Sequence, residues 1–262
     1  MKNDSLKIGS LELNSRLFLG TSQYPDLSTL EQCIKESKSE LVTVGVRRID
    51  VHSDNRYSLL GILETNNTKI LPNTAGCYTA KEAILTSQLA REALKTNRIK
   101  LEVIGDDYTL YPDGIELLKA AEELVKDGFE VYPYCNDDVI LCQKLVDVGC
   151  VCVMPLASPI GSGRGLQNPY NLSMIRKKID LPVIVDAGIG TASDACKAME
   201  LGADAVLINT AVAKAGYPIQ MAIAMRDAIN AGRVAYNAKR IAIKDYAENS
   251  TPEIGKVKYH MK

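Results

Sequence analysis

A lysine and a glutamate lie two residues apart in the apolar segment 99–105 (IKLEVIG), whose pattern predicts a β-strand. Side chains two positions apart on a strand point to the same face, so Lys100 and Glu102 should face inward while their apolar neighbours, including Ile104, pack outward. A buried lysine that loses its proton can form an imine with a ketone or aldehyde, and a nearby carboxylate can move protons. The pair could instead be a structural ion pair lining a barrel.

Two further segments, 185–190 (VDAGIG) and 208–211 (INTA), end apolar strands with small residues and lead into predicted helices. Small residues let a phosphate approach the backbone amides, and a helix N-terminus favours an anion. The glycines could equally serve only to turn the chain. Asp186 could act as a general base or bind a substrate hydroxyl, or it could cap the following turn.

The glycine-rich loop 159–165 (PIGSGRG) is a weaker signal, because it is not a Walker A motif. It could close over a ligand, with Gly161 giving a backbone contact and Arg164 a charge. Arg47 and Arg48 add a polar rim of undetermined role, and His52 is more simply a solvated loop residue.

Apolar periodicity alternates between strand and helix along the whole chain. Eight strands, each followed by at least a plausible helix, in one domain of 262 residues predict a (β/α)₈ TIM barrel, in which the carboxyl ends of the strands build the active site. A doubly wound sheet is the less favoured alternative. Residues 1–15 are expected to form a short strand pair capping the N-terminal face, and residues from about 247 to 262 a polar tail. The predicted strands are 16–21, 41–48, 69–76, 98–105, 129–135, 150–158, 182–190 and 205–211, and the predicted helices 27–37, 79–95, 114–127, 137–149, 169–179, 191–202 and 218–232.

Composition excludes several functional classes. The 31 basic and 32 acidic residues nearly cancel, so no long-range field favours nucleic acid or a membrane surface. With no leader-like start and no apolar run near the length of a membrane span, a cytoplasmic protein is expected. Two histidines exclude a histidine-rich metal centre, and seven cysteines without a CxxC pair indicate reduced thiols, with Cys135 near a strand end the one left open.

Taken in order, these segments resemble the bacterial thiazole synthases of thiamine biosynthesis from about Ser15 to Tyr246. No single segment is specific, but the ordered set is. The matching segments are RLFLGT, VRR, LPNTAG, IKLEVIG, PYCNDD, MPLASPIGSGRG, VIVDAGIG and LINTAVA.

The resemblance implies that the chain condenses 1-deoxy-D-xylulose 5-phosphate, dehydroglycine and sulfur delivered as a thiocarboxylate on a small ubiquitin-like carrier protein. It implies an imine at Lys100, with Glu102 and Asp186 as acid/base residues, and no metal or redox cofactor. It also implies a homo-oligomer, typically a tetramer. The residues that it assigns to the sugar phosphate are Gly161, Ala187, Gly188, Asn209 and Thr210.

One segment departs from the family pattern: Gly20-Thr21-Ser22-Gln23 stands where the family commonly has Gly-Thr-Gly-Lys. Two other functions remain open. A class I aldolase-like barrel would also use an inward lysine, but would make or break a C–C bond without a carrier protein. A non-catalytic sugar-phosphate-binding barrel would need the phosphate site but no lysine beside the ketone.

Overall fold

The computed structural model describes residues 4–46, 58–251 and 255. Arg47, Arg48, His52 and His260 lie outside the described residues, as does most of the predicted tail beyond residue 251, so the rim predicted from the two arginines is not described.

Strands and helices alternate through the described chain as the apolar periodicity predicts. The strands are β1 (Leu6–Ile8), β2 (Leu11–Leu13), β3 (Leu17–Gly20), β4 (Leu41–Gly45), β5 (Lys69–Asn73), β6 (Arg98–Leu101), β7 (Glu130–Cys135), β8 (Met154–Pro155), β9 (Ile184–Asp186) and β10 (Ala205–Ile208). The helices are α1 (Leu27–Ser37), α2 (Leu59–Thr65), α3 (Ala80–Leu94), α4 (Gly114–Lys126), α5 (Val139–Asp147), α6 (Pro169–Lys178), α7 (Ala192–Glu200), α8 (Thr210–Ala213) and α9 (Pro218–Ala238).

In the described residues, eight parallel strands follow one another in the order β8-β7-β6-β5-β4-β3-β10-β9. Parallel bridges between Val153 and Val183 and between Leu156 and Asp186 bring the two ends of this sheet together. The predicted (β/α)₈ barrel is therefore confirmed, together with a separate antiparallel pair, β1-β2, at the N-terminus.

Alternation along the strands divides the apolar residues between two layers. Inward-facing side chains such as Phe18, Leu71, Tyr132 and Leu207 fill the barrel together with the β1-β2 pair. Outward-facing side chains pack beneath the helices in two further clusters.

The β1-β2 pair closes the amino-terminal end of the barrel. The Ser10 backbone N–H donates to Glu130 Oε1 at 2.8 Å, and the Tyr132 hydroxyl donates to the Ile8 carbonyl at 3.3 Å. Since Glu130 begins β7 and Tyr132 faces inward, the pair is fixed to the barrel at the end opposite the strand carboxyl termini.

Side-chain caps begin the helices where the sequence predicts them. Thr79 caps α3 by accepting from the Glu82 N–H, and Asp138 caps α5 by accepting from the N–H groups of Ile140 and Leu141. Asp138, in the PYCNDD segment, is therefore the N-cap residue of α5.

The predicted barrel strands are longer than the observed ones, and in two of them the local cause is clear. The strand expected at 150–158 is reduced to Met154–Pro155, because Pro155 and Pro182 have no N–H to donate to a ladder. The strand expected to reach residue 211 ends at Ile208, because the Asn209 carbonyl accepts from Val212 and Ala213 N–H groups and starts α8.

The prediction that Ile104 packs outward beneath the helices is wrong. Leu101 and Val103 do join the outer layer, but β6 ends at Leu101 and alternation ends with it. Ile104 donates its N–H to the Cys77 carbonyl at 2.9 Å and packs with Tyr134 and Leu156 instead.

All seven cysteines are free thiols, and all but Cys196 are buried. Cys135 lies in the outer layer, 3.8 Å from Cys142 between sulfur atoms, and burial and the Cys142 thiol raise its pKa. Across the described residues, helices stay too short or too polar to cross a bilayer.

Candidate active site

A cavity of about 490 Å³ opens where the parallel strands end. Seven of the eight barrel strands, or the segments that follow them, contribute to its wall. The residues that line it include Gly20, Ser22, Thr43, Asn73, Lys100, Glu102, Gly161, Asp186, Ala187, Gly188, Asn209 and Thr210. The structure therefore brings together in one cavity all eight site residues proposed from the sequence.

Lys100 lies on β6, paired in register with Asn73 on β5 and Tyr132 on β7. Its ammonium Nζ is 2.6 Å from Asp186 Oδ2 on β9 and 3.0 Å from Glu102 Oε1. All three side chains are buried. One ammonium is thus shared by two carboxylates at the inner end of the cavity.

Charge and burial act in opposite directions on this lysine. Burial alone would lower the pKa of Lys100, but attraction to Asp186 and Glu102 and hydrogen bonds to both raise it above its usual value. Burial raises the pKa of Asp186 despite the opposing effect of the Lys100 charge, and Glu102 raises it further. The resting site therefore holds a charged lysine beside an aspartate that takes a proton more readily than usual.

Glu102 is positioned by the turn that follows β5. The Thr74 hydroxyl donates to the Glu102 carbonyl and accepts from its N–H, both at 2.8 Å. Asn73 donates from Nδ2 to Glu102 Oε1 at 3.4 Å, while its Oδ1 accepts from the Ala75 N–H at 3.0 Å. Sequence reasoning missed both roles; the available signal was the polar end of the LPNTAG segment.

The turn after β9 has a constrained backbone. Ala187 has φ of 67° and Gly188 φ of 81°, both in the left-handed region. A Cβ on Gly188 would lie 2.1 Å from Ser158 Oγ and 2.5 Å from the Ser158 nitrogen, so a side chain does not fit there. The Ser158 hydroxyl donates to the Gly188 carbonyl at 3.2 Å, which joins this turn to the end of the β8 segment.

The glycine-rich loop reaches the turn after β10. A Cβ on Gly161, which has φ of 73°, would lie 3.9 Å from Thr210 Oγ1. Arg164 in the same loop is exposed and is not among the residues that line the cavity, so the charge expected from it is not found there.

The segment that departs from the family pattern also lines the cavity. Asn209 donates from Nδ2 to Ser22 Oγ at 2.8 Å, whereas Gln23 is exposed and has φ of 68°. Thr21 donates its hydroxyl proton to the Thr43 carbonyl at 2.9 Å.

The fold and the site together define a class: a parallel β/α barrel with a buried lysine between two carboxylates at the inner end of its carboxyl-terminal cavity. Residues 7–252 match the family model described as thiazole biosynthesis protein ThiG. The chain belongs to this family. It is thus a member of the thiazole synthases, which are enzymes in thiamine biosynthesis.

Curated relatives agree along nearly the whole chain. A thiazole synthase of Sorangium cellulosum (strain So ce56) is 54% identical over 257 residues, covering 98% of this chain and 99% of that protein. One of Aliarcobacter butzleri (strain RM4018) is 54% identical over 258 residues, covering 98% of this chain and 100% of that protein.

A solved structure shows the same architecture. The crystal structure of the Amycolatopsis orientalis BexX/CysO complex matches with a TM-score of 0.82 and 31% identity, covering 92% of this chain and 98% of the matched one.

Proposed function

We propose that this chain joins 1-deoxy-D-xylulose 5-phosphate, dehydroglycine and sulfur into a thiazole phosphate carboxylate, with Lys100 forming an imine with the ketone of the sugar phosphate. The observation that carries the proposal is the buried Lys100 ammonium, 2.6 Å from Asp186 and 3.0 Å from Glu102 in a cavity. A lysine that only stabilised the fold would not need to line a cavity of that size.

A charged lysine cannot attack a ketone, so its proton must leave first. Asp186 Oδ2 lies 2.6 Å from Nζ, and its raised pKa favours its taking that proton. The neutral amine then adds to the ketone carbon, and water leaves as the C=N bond forms. The imine acidifies the neighbouring C–H, so a carboxylate can take that proton and shift the carbonyl function along the sugar to the carbon that sulfur attacks.

The phosphate would bind at the turns after β9 and β10 and at the glycine-rich loop. Left-handed backbone at Gly161, Ala187 and Gly188 is compatible with N–H groups directed at an anion. Asn209 and Thr210 line the same cavity. This placement holds the phosphate at the mouth and leaves the ketone to reach the inner lysine.

Sulfur would arrive as a thiocarboxylate on a small ubiquitin-like carrier protein. The related A. orientalis structure is that of a BexX/CysO complex, which supports a protein partner for this chain as well. No metal or redox cofactor is needed for the proposed steps, and a homo-oligomer, a tetramer by family resemblance, is part of the proposal.

The test is trapping of the imine with borohydride in the presence of 1-deoxy-D-xylulose 5-phosphate, followed by intact-protein mass spectrometry. Hydride reduces the C=N bond to a secondary amine, so the protein should gain the mass of the ligand less one oxygen atom. Lys100→Ala should abolish the adduct. Lys126→Ala is the matched control, because that lysine also pairs with a carboxylate, Glu122 at 2.9 Å, but is exposed.

No adduct in the wild-type protein would contradict the imine and favour a non-catalytic binding barrel. If the adduct forms, turnover separates the two enzyme functions. A class I aldolase-like enzyme would cleave or form a C–C bond without a carrier, whereas the proposed reaction consumes a carrier thiocarboxylate.

A further inference from the structure

Ser22 and Asn209 meet across two neighbouring strands, 187 positions apart in sequence. Asn209 Nδ2 donates to Ser22 Oγ at 2.8 Å. A serine hydroxyl has one proton and two lone pairs, and this bond uses one lone pair. Within the described ranges no acceptor pairs with the Ser22 proton, and the residue lines the cavity.

The Asn209 side chain is itself held against the backbone of β3. A Cβ on Gly20 would lie 2.5 Å from Asn209 Cβ and 2.9 Å from Oδ1, so the amide packs directly on the Gly20 backbone. Oδ1 is buried there without a hydrogen-bond partner, and one of the two Nδ2 protons is donated to Ser22. The amide therefore fixes the position of the serine oxygen, and its second Nδ2 proton lies beside that oxygen.

The position of this pair indicates what the serine proton would meet. Ser22 lines the same cavity as Gly161 and Thr210, and its partner Asn209 directly precedes Thr210. The serine therefore lies beside the turn after β10, where the phosphate is proposed to bind. The two buried carboxylates are already occupied with Lys100. A hydrogen bond from a neutral donor to an anionic oxygen is stronger than one between two neutral groups.

We propose that Ser22 donates its hydroxyl proton to an anionic oxygen of the ligand and that Asn209 is the positioning residue that aims it. This inference rests on the proposed function, in which the anion is the phosphate of the sugar phosphate. It assigns a binding role to a serine at a position where the family commonly has glycine.

The experiment is calorimetric titration of the full chain with 1-deoxy-D-xylulose 5-phosphate and, separately, with inorganic phosphate. Ser22→Ala should weaken both about 10- to 100-fold, the size of a hydrogen bond to a charged group. Ser22→Thr should restore most of the affinity. Gln23→Asn is the matched control, since that exposed neighbour has left-handed backbone that asparagine tolerates.

A double-mutant cycle separates positioning from general stabilisation. Asn209→Ala should weaken phosphate binding more in the wild-type background than in Ser22→Ala. Ser22→Ala binding within about twofold of wild type, or an equal Asn209→Ala loss in both backgrounds, would overturn the inference. Should Ser22→Ala fail to fold by circular dichroism, Ser22→Gly takes its place with the same expectation.

Failure of this inference and failure of the proposed function differ in outcome. If the wild type forms the borohydride adduct while Ser22→Ala binds normally, the serine role is wrong and the function stands. If the wild type forms no adduct while Ser22→Ala still weakens phosphate binding, the serine role stands as anion binding and the imine is wrong.

Discussion

Lys100→Met should cost more stability than an ordinary lysine substitution, because it leaves two carboxylates buried without a cation. The side chains of Lys100, Glu102 and Asp186 are 5%, 6% and 4% exposed. Removing one partner of a buried ion pair costs about 3–5 kcal/mol, and here the remaining charges also repel one another. At pH 8 we expect a loss in that range, equivalent to a fall in Tm of about 10 °C for a chain of this size.

The same reasoning fixes the pH dependence. Burial already raises the pKa of Asp186, and without the Lys100 charge it rises further. A carboxyl whose folded pKa lies above its unfolded value penalises the fold at high pH and relieves it as pH falls through the folded pKa. The deficit of Lys100→Met relative to wild type should therefore shrink between pH 8 and pH 5.5.

Urea denaturation at the two pH values measures both effects. Adding Glu102→Gln and Asp186→Asn to Lys100→Met should recover most of the loss, since removing all partners leaves no unpaired charge. Lys126→Met, on an exposed pair, should change stability by less than about 1 kcal/mol. A Lys100→Met protein within about 1 kcal/mol of wild type at pH 8, or a deficit that does not depend on pH, would refute the reasoning.

Two further predictions concern the same cavity. In wild type the rate of borohydride trapping should keep rising into the alkaline range, because the pKa of Lys100 is raised. Asp186→Asn removes one of the two charges that raise this pKa, so the rise in trapping rate should move to lower pH. The maximal rate should also fall about 10²-fold or more, because the proton acceptor is lost. If stopped-flow trapping of Asp186→Asn shows the rate rising at the same pH as in wild type, Asp186 is not the partner that keeps Lys100 charged. Gly188→Ala should destabilise the chain by more than about 2 kcal/mol and abolish phosphate binding, because the new Cβ would lie 2.1 Å from Ser158 Oγ at a φ of 81°. A variant that melts and binds like wild type would show that this turn is free to move.

Periodicity was sufficient to predict the barrel, because each strand had to bury apolar side chains on both faces and each helix on one. It could not predict where ladders end. The strand expected at 150–158 depends on a proline in a neighbouring segment, Pro182, and the end of β10 depends on which N–H groups the Asn209 carbonyl accepts. The bounds of the short helix α2 were not predicted, because the polar stretch before it hides its start, which is capped by Ser58.

The inner part of the site was predictable to the same degree. Spacing alone placed Lys100 and Glu102 on one face, and the barrel rule put Asp186 at the same end. That the lysine is charged at rest depends on two distances of 3.0 Å or less, which no spacing rule supplies. The contact between Ser22 and Asn209 joins residues 187 positions apart in sequence. It could be found only once the pairing of β3 with β10 was known.

The β1-β2 pair has a kinetic consequence. By filling the amino-terminal end of the barrel, it leaves small molecules and any protein partner to share the rim at the carboxyl ends of the strands, as far as the described residues show. A macromolecule seated on that rim obstructs the route to Lys100. For the proposed function we therefore expect ordered addition, with the sugar phosphate entering first, the sulfur donor second, and product leaving only after the donor has gone.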